Sequence, residues 1–164
     1  MGTLQRKFVT FKLEDHLFGI DALLIREVSR SLDVTPVDRA PKHVRGLINL
    51  RGQVVTLLDL GQRLGLGQRP LSKNSGCIVL KTTIGLSPVQ SPKNVDESLL
   101  EHIANGFVGL LVDQVDEVVE VDSSKIDPPP VNEQTIKRRF LGGVVRLEQG
   151  LLVTLKTSEI LSLE

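Results

Sequence analysis

The chain has 164 residues, 40% of them hydrophobic and 24% charged, which suits one ordinary folded domain and excludes an intrinsically disordered protein. Its 20 basic and 20 acidic side chains cancel, so net charge offers no general attraction to nucleic acid or to an anionic membrane. No stretch approaches the roughly 20 apolar residues of a membrane helix. A single cysteine, Cys77, and the lack of an apolar signal segment lead us to expect a cytoplasmic protein.

Short runs of Val, Ile, Leu and Thr, each ended by Gly, Pro, Asn or Asp, indicate β-strands. In chain order the predicted strands cover 8–13, 17–21, 46–50, 54–59, 77–84, 107–114, 118–121, 141–147 and 151–156. Helical content is expected to be small. We predict one helical turn at 41–45, another at 60–64 stopped by Gly65, and a short closing helix over 157–163.

This density of strands predicts the fold class. Because few residues separate the strands, parallel crossovers have no room, and antiparallel barrels or sandwiches remain. In the first strand, alternation places Val9, Phe11 and Leu13 on the core face. Glycine in 51–53 and 148–150 would supply the positive φ of tight turns between strand pairs.

Two halves of the chain resemble each other. The stretch that begins at Gly46 matches the one at Gly143, 97 positions later, and Gly19 leading to Glu27 resembles Gly109 leading to Glu117 at an offset of 90. We therefore predict two small barrels side by side, approximately 5–70 and 71–156, with a possible exchange of terminal strands. Residues 87–105 interrupt a hairpin, as an inserted loop or a short helix capped by Asp96.

A search for catalytic groups finds little. Cys77 enters an apolar run and is expected to be a buried, inert thiol. The three histidines stand apart and predict no metal site, and the carboxylates between 113 and 122 are interpreted as a solvated strand face. No glycine-rich phosphate loop or other cofactor signature is present. The pattern favours a binding module over an enzyme.

One segment resembles a known family. Residues 44–52 (Val-Arg-Gly-Leu-Ile-Asn-Leu-Arg-Gly), followed by 54–60, closely resemble the hallmark of CheW-like domains. Residues 18–28, 112–118, 126–130 and 140–143 match further parts of the family in the same order. The resemblance implies a single CheW-like domain over 5–164, made of two five-stranded SH3-like antiparallel β-barrels with few short helices.

The resemblance also implies a function and partners. Family members are adaptors that couple methyl-accepting chemoreceptors to the regulatory domain of the CheA histidine kinase, and ring contacts between adaptors are a further possibility. Such a chain would have no catalytic activity, cofactor, nucleic-acid partner or direct membrane insertion. It would lie in the cytoplasm and be recruited to membrane-associated receptor arrays.

Site residues are carried over from the family position by position. The receptor-facing residues implied by the resemblance are Ile25, Glu27, Val28, Gly46, Arg51, Gly52 and Gly143. The kinase-facing residues so implied are Ile126, Asp127, Pro128 and Asn132. From the residues alone, Ile25 and Val28 could equally be core, Asn49 would stabilise a turn, and Gly143 would mark a bend with no room for Cβ. Asp127 departs from the family, where a basic residue can stand.

Two other classes of function stay open. The basic run Lys137-Arg138-Arg139 could serve a small nucleic-acid-binding barrel, although a chain without Trp or Tyr offers little base stacking. An enzyme would need a deep polar pocket that the sequence does not reveal. A CheW-like adaptor of a pathway other than motility is the third alternative.

Overall fold

Short strands make up most of the part of the chain that can be described. A computed structural model describes residues 4–81, 107–129 and 136–161. The strands are β1 (Gln5–Leu13), β2 (His16–Asp21), β3 (Ile25–Ser29), β4 (Val44–Leu50), β5 (Gln53–Asp59), β6 (Gly76–Leu80), β7 (Phe107–Val112), β8 (Gln114–Asp122), β9 (Leu141–Leu147) and β10 (Gly150–Leu155). The helices are α1 (Leu60–Leu64), α2 (Thr157–Leu161) and 3₁₀ turns at Ala22–Leu24, Ser123–Lys125 and Arg138–Phe140.

The strands form two five-stranded sheets. Barrel 1 has the order β8-β1-β2-β10-β9, and barrel 2 has the order β3-β6-β7-β5-β4. An isolated bridge from Thr35 to Leu47 lies at the β4 edge of barrel 2, and one from Asp127 to Val144 lies at the β9 edge of barrel 1. The predicted mainly β fold with two five-stranded units and few short helices is therefore confirmed within the described ranges.

The two barrels share one pairing scheme. Each takes strands from both halves of the chain, so the ranges 5–70 and 71–156 exchange strands, and their bounds stay a prediction. Equivalent glycines flank equivalent residues in the two sheets. In barrel 1, Thr154 pairs with Gly19 on one side and with Gly143 on the other. In barrel 2, Leu57 pairs in the same way with Gly109 and Gly46. The offsets of 90 and 97 residues seen in the sequence thus recur in the hydrogen-bond register.

Strand pairing is antiparallel except at two places among the described residues. β2 pairs with β10 and β5 pairs with β7 in parallel. The expectation that parallel pairs have no room is wrong at these two places, because the partners are distant in sequence. Between β2 and β10 the chain passes through the strands of barrel 2, and between β5 and β7 it passes through α1 and β6, so both connections are long enough for a parallel pair.

A continuous apolar core joins the two barrels. Val9, Phe11 and Leu13 are buried as predicted, and they belong to a cluster that also contains Ile78 and Leu110 of barrel 2. The Phe11 ring stacks on Phe18 with 6.0 Å between centroids. Because this cluster draws on both sheets, it fixes how the barrels sit against each other.

The stop of α1 at Gly65 agrees with the prediction, and the turn predicted at 41–45 is shorter than expected. The Asp59 carboxylate caps α1 by accepting from the Gln62 backbone N–H at 3.0 Å, and Gly65 ends it at φ +89°. The single turn predicted at 41–45 is present but shorter, because the Val44 N–H donates to the Pro41 carbonyl at 2.9 Å and β4 already begins at Val44. The predicted segment 87–105 lies outside the described residues.

Candidate functional site

The hairpin between β4 and β5 presents an exposed arginine on a rigid turn. Arg51 and Gly52 both have positive φ, at 54° and 85°, which is the signature of a two-residue type I′ turn. The Asn49 side chain accepts a hydrogen bond from the Gly52 backbone N–H at 2.9 Å, which is the turn-stabilising role expected of it. The turn therefore holds the base of the Arg51 side chain in a defined place.

Arg51 faces a carboxylate on the neighbouring part of barrel 2. Its Nη1 lies 3.9 Å from Oε2 of Glu27 on β3, and the two side chains are 85% and 23% exposed. An ion pair this long and this exposed contributes about 0–1 kcal/mol to folding. The guanidinium is thus held close to Glu27 while most of it stays open to solvent.

The apolar residues beside Glu27 have different environments. Ile25 is buried and belongs to the core between the barrels, whereas Val28 is 37% exposed. The guanidinium of Arg26 lies over the Phe107 ring, 3.9 Å from its centroid. Of the predicted receptor-facing side chains, Glu27, Val28 and Arg51 lie on the surface, and Ile25 lies in the core.

Gly46 on β4 and Gly143 on β9 occupy equivalent positions in the two barrels, and both are buried. A Cβ on Gly46 would lie 2.3 Å from the carbonyl oxygen of Thr35, and one on Gly143 would lie 2.7 Å from that of Asp127. Both glycines therefore allow a passing strand to approach closely enough to form its bridge. Gly52, in contrast, has no atom within 4 Å of a built Cβ.

The connector after β8 presents the other predicted residues. Asp127 exchanges two backbone hydrogen bonds with Val144, both of 2.9 Å, and its side chain and Pro128 are exposed, while Ile126 is half-buried. The carboxylate at 127 is therefore displayed by a fixed backbone. Asn132 lies outside the described residues.

A partly buried polar network that sequence reasoning missed holds the segment after α1. Asp59, which is fully buried, accepts from Arg45 Nη1 at 3.1 Å and from the Arg69 backbone N–H at 2.9 Å. The Arg69 guanidinium binds Asp113 through two nitrogens, at 2.9 and 2.6 Å, and Glu14 at 3.1 Å. The hydrogen bond to Asp113 raises the pKa of Arg69. The place of Asp59 between a strand and a helix could have indicated a helix cap. The spacing of the other residues of the network in the sequence gives no sign that they meet.

Cys77, the candidate nucleophile, is a core residue. Cys77 is fully buried, and burial raises the pKa of its thiol to about 12, so it is not a nucleophile at neutral pH. No group of three or more His, Cys, Asp or Glu positioned for a metal ion occurs within 4–81, 107–129 and 136–161. None of the described helices has the length and apolar character that a membrane crossing requires. Arg139 of the basic run lies over the Phe140 ring, 4.7 Å from its centroid.

Fold and surface together define a two-barrel β protein whose distinctive exposed features are fixed charges on turns. The family model described as "CheW-like domain" matches residues 7–164. The chain therefore belongs to the CheW-like family, whose members are scaffold or adaptor proteins of chemotaxis.

Individual relatives agree over nearly the whole chain. A "Chemotaxis protein CheW" of Treponema pallidum is 27% identical and is matched over 96% of this chain and 83% of its own length. One from Klebsiella aerogenes is 26% identical over 99% of this chain and 85% of its own length. The crystal structure of the scaffolding protein TtCheW from Thermoanaerobacter tengcongensis superposes with a TM-score of 0.73 at 28% identity, covering 96% of this chain and 88% of that one.

Proposed function

We propose that this protein couples methyl-accepting chemoreceptors to the CheA histidine kinase in chemosensory arrays, without catalytic activity of its own. The observation that carries the proposal is the exposed Arg51–Glu27 pair, fixed on a rigid turn in a chain whose family match spans residues 7–164. The protein would work in the cytoplasm, recruited to membrane-associated arrays.

The receptor contact would use the surface formed by Glu27, Val28 and Arg51. A receptor signalling tip is a helical hairpin, so it offers apolar ridges flanked by charged residues. Val28 would meet the apolar ridge, and the planar Arg51 fork would bind a carboxylate beside it. The other predicted receptor-facing residues would act indirectly, by maintaining the backbone that presents this surface; they are Ile25, Gly46, Gly52 and Gly143.

The kinase contact would use the connector of Ile126, Asp127, Pro128 and Asn132. Two backbone hydrogen bonds to Val144 fix Asp127, so its carboxylate would meet a basic side chain of the kinase regulatory domain. The polarity of this contact would then be opposite to that of relatives with a basic residue here.

Assembly would supply the strength that each contact lacks. Contacts to receptor, kinase and ring neighbours raise one another's effective concentration, so modest individual affinities suffice. The adaptor would shift the population of active kinase through contacts rather than chemistry. An adaptor of a pathway other than motility would use the same surfaces.

Calorimetric titration tests the proposal directly. The purified protein is titrated separately with a receptor signalling-tip hairpin and with a CheA regulatory domain from the same organism, and saturable binding to both is expected. Arg51→Glu should weaken receptor binding about tenfold, since one charge-assisted contact becomes a repulsion. Its thermal midpoint should stay within about 2 °C, because the exposed pair adds little to stability.

A matched control lies on the equivalent turn of barrel 1. Glu148 stands 97 positions after Arg51 and is likewise exposed, so Glu148→Lys should leave receptor binding unchanged. Normal receptor binding by Arg51→Glu would refute the assigned contact. Failure to bind either partner, together with salt-sensitive binding to single-stranded nucleic acid, would favour the alternative based on Lys137, Arg138 and Arg139.

A further inference from the structure

Along the order of its described strands, the chain passes from one barrel to the other at two places. The first is the 3₁₀ turn Ala22–Leu24 between β2 and β3, and the second is Asp113, the single residue between β7 and β8. The shared apolar core holds the barrels in contact, but the hydrophobic effect behind it has no preferred direction. Hydrogen bonds and ion pairs that cross between the barrels therefore add the directional restraint on their relative orientation.

Arg69 makes such contacts at the second crossing. Its guanidinium donates through Nε and Nη2 to the two carboxylate oxygens of Asp113, at 2.9 and 2.6 Å, and through Nη1 to Glu14 in the β1–β2 turn of barrel 1, at 3.1 Å. The Asp113 carboxylate also accepts from the Glu14 backbone N–H at 2.8 Å. Because the side chains of Arg69 and Asp113 are only 13% and 21% exposed, most of this two-point pair is shielded from water.

The backbone of Arg69 is fixed to barrel 2. Its N–H donates to the buried Asp59 carboxylate at 2.9 Å, and its carbonyl oxygen accepts from Arg45. Its side-chain stem lies over α1, since a Cβ on Gly61 would be 2.2 Å from Cδ of Arg69. Arg69 is thus held by barrel 2 through its backbone and by barrel 1 through its guanidinium.

Arg63 makes a second cross-barrel contact from the same part of the chain. It lies on α1 and donates through Nε to the Ile160 carbonyl at 2.9 Å and through Nη2 to the Glu159 carbonyl at 3.2 Å, both on α2, which follows β10 of barrel 1. Residues 60–69, here called the strap, therefore reach barrel 1 at two separate points. Two points of attachment resist rotation of one barrel against the other, which a single point does not.

The strap lies between the two surfaces proposed for partners. β5 runs from the turn that carries Arg51 to Asp59, immediately before the strap. β8 begins directly after Asp113 and leads to the connector that contains Asp127. A regular strand thus leads from each surface to the Arg69–Asp113 pair.

We propose that Arg69 is a positioning residue, which holds the two barrels at one relative orientation through Asp113 and Glu14 and so sets the receptor-facing surface of barrel 2 relative to the connector of barrel 1. The first part stands on contacts within this chain. The second part rests on the proposed function, because it takes receptor and kinase as the partners of these surfaces. Without the Arg69 guanidinium, the barrels would stay folded and in contact but would be free to turn about the Arg63 attachment.

Residual dipolar couplings of the backbone amides test the first part without any partner. They are measured on the full-length ¹⁵N-labelled protein in a weakly aligning medium and fitted separately for each barrel. In the wild-type protein the two barrels should share one alignment tensor, as parts of one rigid body do. Arg69→Met keeps the side-chain stem over Gly61 and removes the guanidinium, so the two tensors should then differ in orientation or in magnitude.

Arg6→Met is the matched control. Arg6 also pairs with a carboxylate, that of Asp21 at 3.1 Å, but both residues lie in barrel 1, so one tensor should still describe both barrels. Arg69→Met should unfold cooperatively with a thermal midpoint lower by about 3–12 °C, since hydrogen bonds to a charged group are lost. Asp113→Asn keeps the shape and one acceptor oxygen, so it should give a smaller difference in the same direction, and it decides the question if Arg69→Met does not fold.

Binding of both partners tests the second part. The affinity for a receptor signalling-tip hairpin is measured by calorimetry with and without a saturating CheA regulatory domain. In the wild-type protein the kinase domain should change receptor affinity by about fivefold or more, and in Arg69→Met this factor should fall below about twofold. Each partner alone should bind the variant within about twofold of the wild type, because Arg69 lies in neither partner surface.

The contrary outcomes are distinct. One shared tensor in both Arg69→Met and Asp113→Asn would overturn the positioning role and with it the whole inference. The same change of receptor affinity in wild type and variant, or no change in either, would overturn the second part. Failure of the wild type to bind either partner would overturn the proposed function and the second part, while the dipolar couplings would still decide the first.

Discussion

Replacing Asp59 with alanine should destabilise the protein far more than any surface charge change. The fully buried carboxylate accepts from Arg45, from the Gln62 N–H that begins α1, and from the Arg69 N–H in the segment after α1. Removing one partner of a buried pair leaves a charge without compensation, which costs about 3–5 kcal/mol. For a domain of this size that corresponds to a thermal midpoint lower by roughly 6–20 °C.

The matched control is Asp21→Ala. Asp21 has the same two roles, since it accepts from the Leu23 N–H at 2.9 Å and pairs with Arg6 at 3.1 Å, but it is partly exposed. Its loss should cost only about 1 kcal/mol. Because the chain has no Trp or Tyr, unfolding is followed by far-UV circular dichroism or calorimetry. Equal losses at Asp59 and Asp21 would refute the reasoning that burial makes the difference.

Three further predictions concern the backbone and pH. Gly46→Ala should lose about 3 kcal/mol in urea unfolding, because its Cβ would meet the Thr35 carbonyl, whereas Gly52→Ala should lose only about 1 kcal/mol for its left-handed backbone. Burial raises the pKa of Cys77 to about 12. Above pH ~9 the stability of the wild-type protein should therefore fall by about 1.4 kcal/mol per pH unit relative to that of Cys77→Ala. The same dependence of stability on pH in both proteins would contradict this. Burial, followed by the charges of Arg63 and Lys42, lowers the pKa of His43. Stability that is present above pH ~6.5 should therefore be lost on acidification, and the loss should be smaller in His43→Gln.

Local patterns predicted most of the elements. Alternation identified the core face of β1, because side chains of a strand point to opposite sides. Gly65 marked the end of α1, since a left-handed stop is a local need. The repeat offsets also predicted which segments are equivalent, because a register repeats with its sequence. The turn predicted at 41–45 is shorter than expected, because pairing of Val44 with β5 begins the strand there.

The site was predicted residue by residue, but its geometry was not. Resemblance pointed to Glu27 and Arg51, yet nothing in their spacing of 24 positions indicated that the two side chains would lie 3.9 Å apart. The same holds for Arg69, which joins Glu14 and Asp113 from different turns. Such contacts depend on how distant segments are brought together, which local propensity does not encode.

By itself, the sequence determined a β-rich chain of two equivalent halves, the positions of most strands, the Arg51–Gly52 turn and the family, because each of these depends on neighbouring residues. Only the tertiary structure decided that the halves exchange strands, that two pairs run parallel, and that Arg69 and Asp59 join residues 65–71 to one end of barrel 2. Those features depend on contacts between residues far apart in the chain, where each half folds against the other rather than on itself.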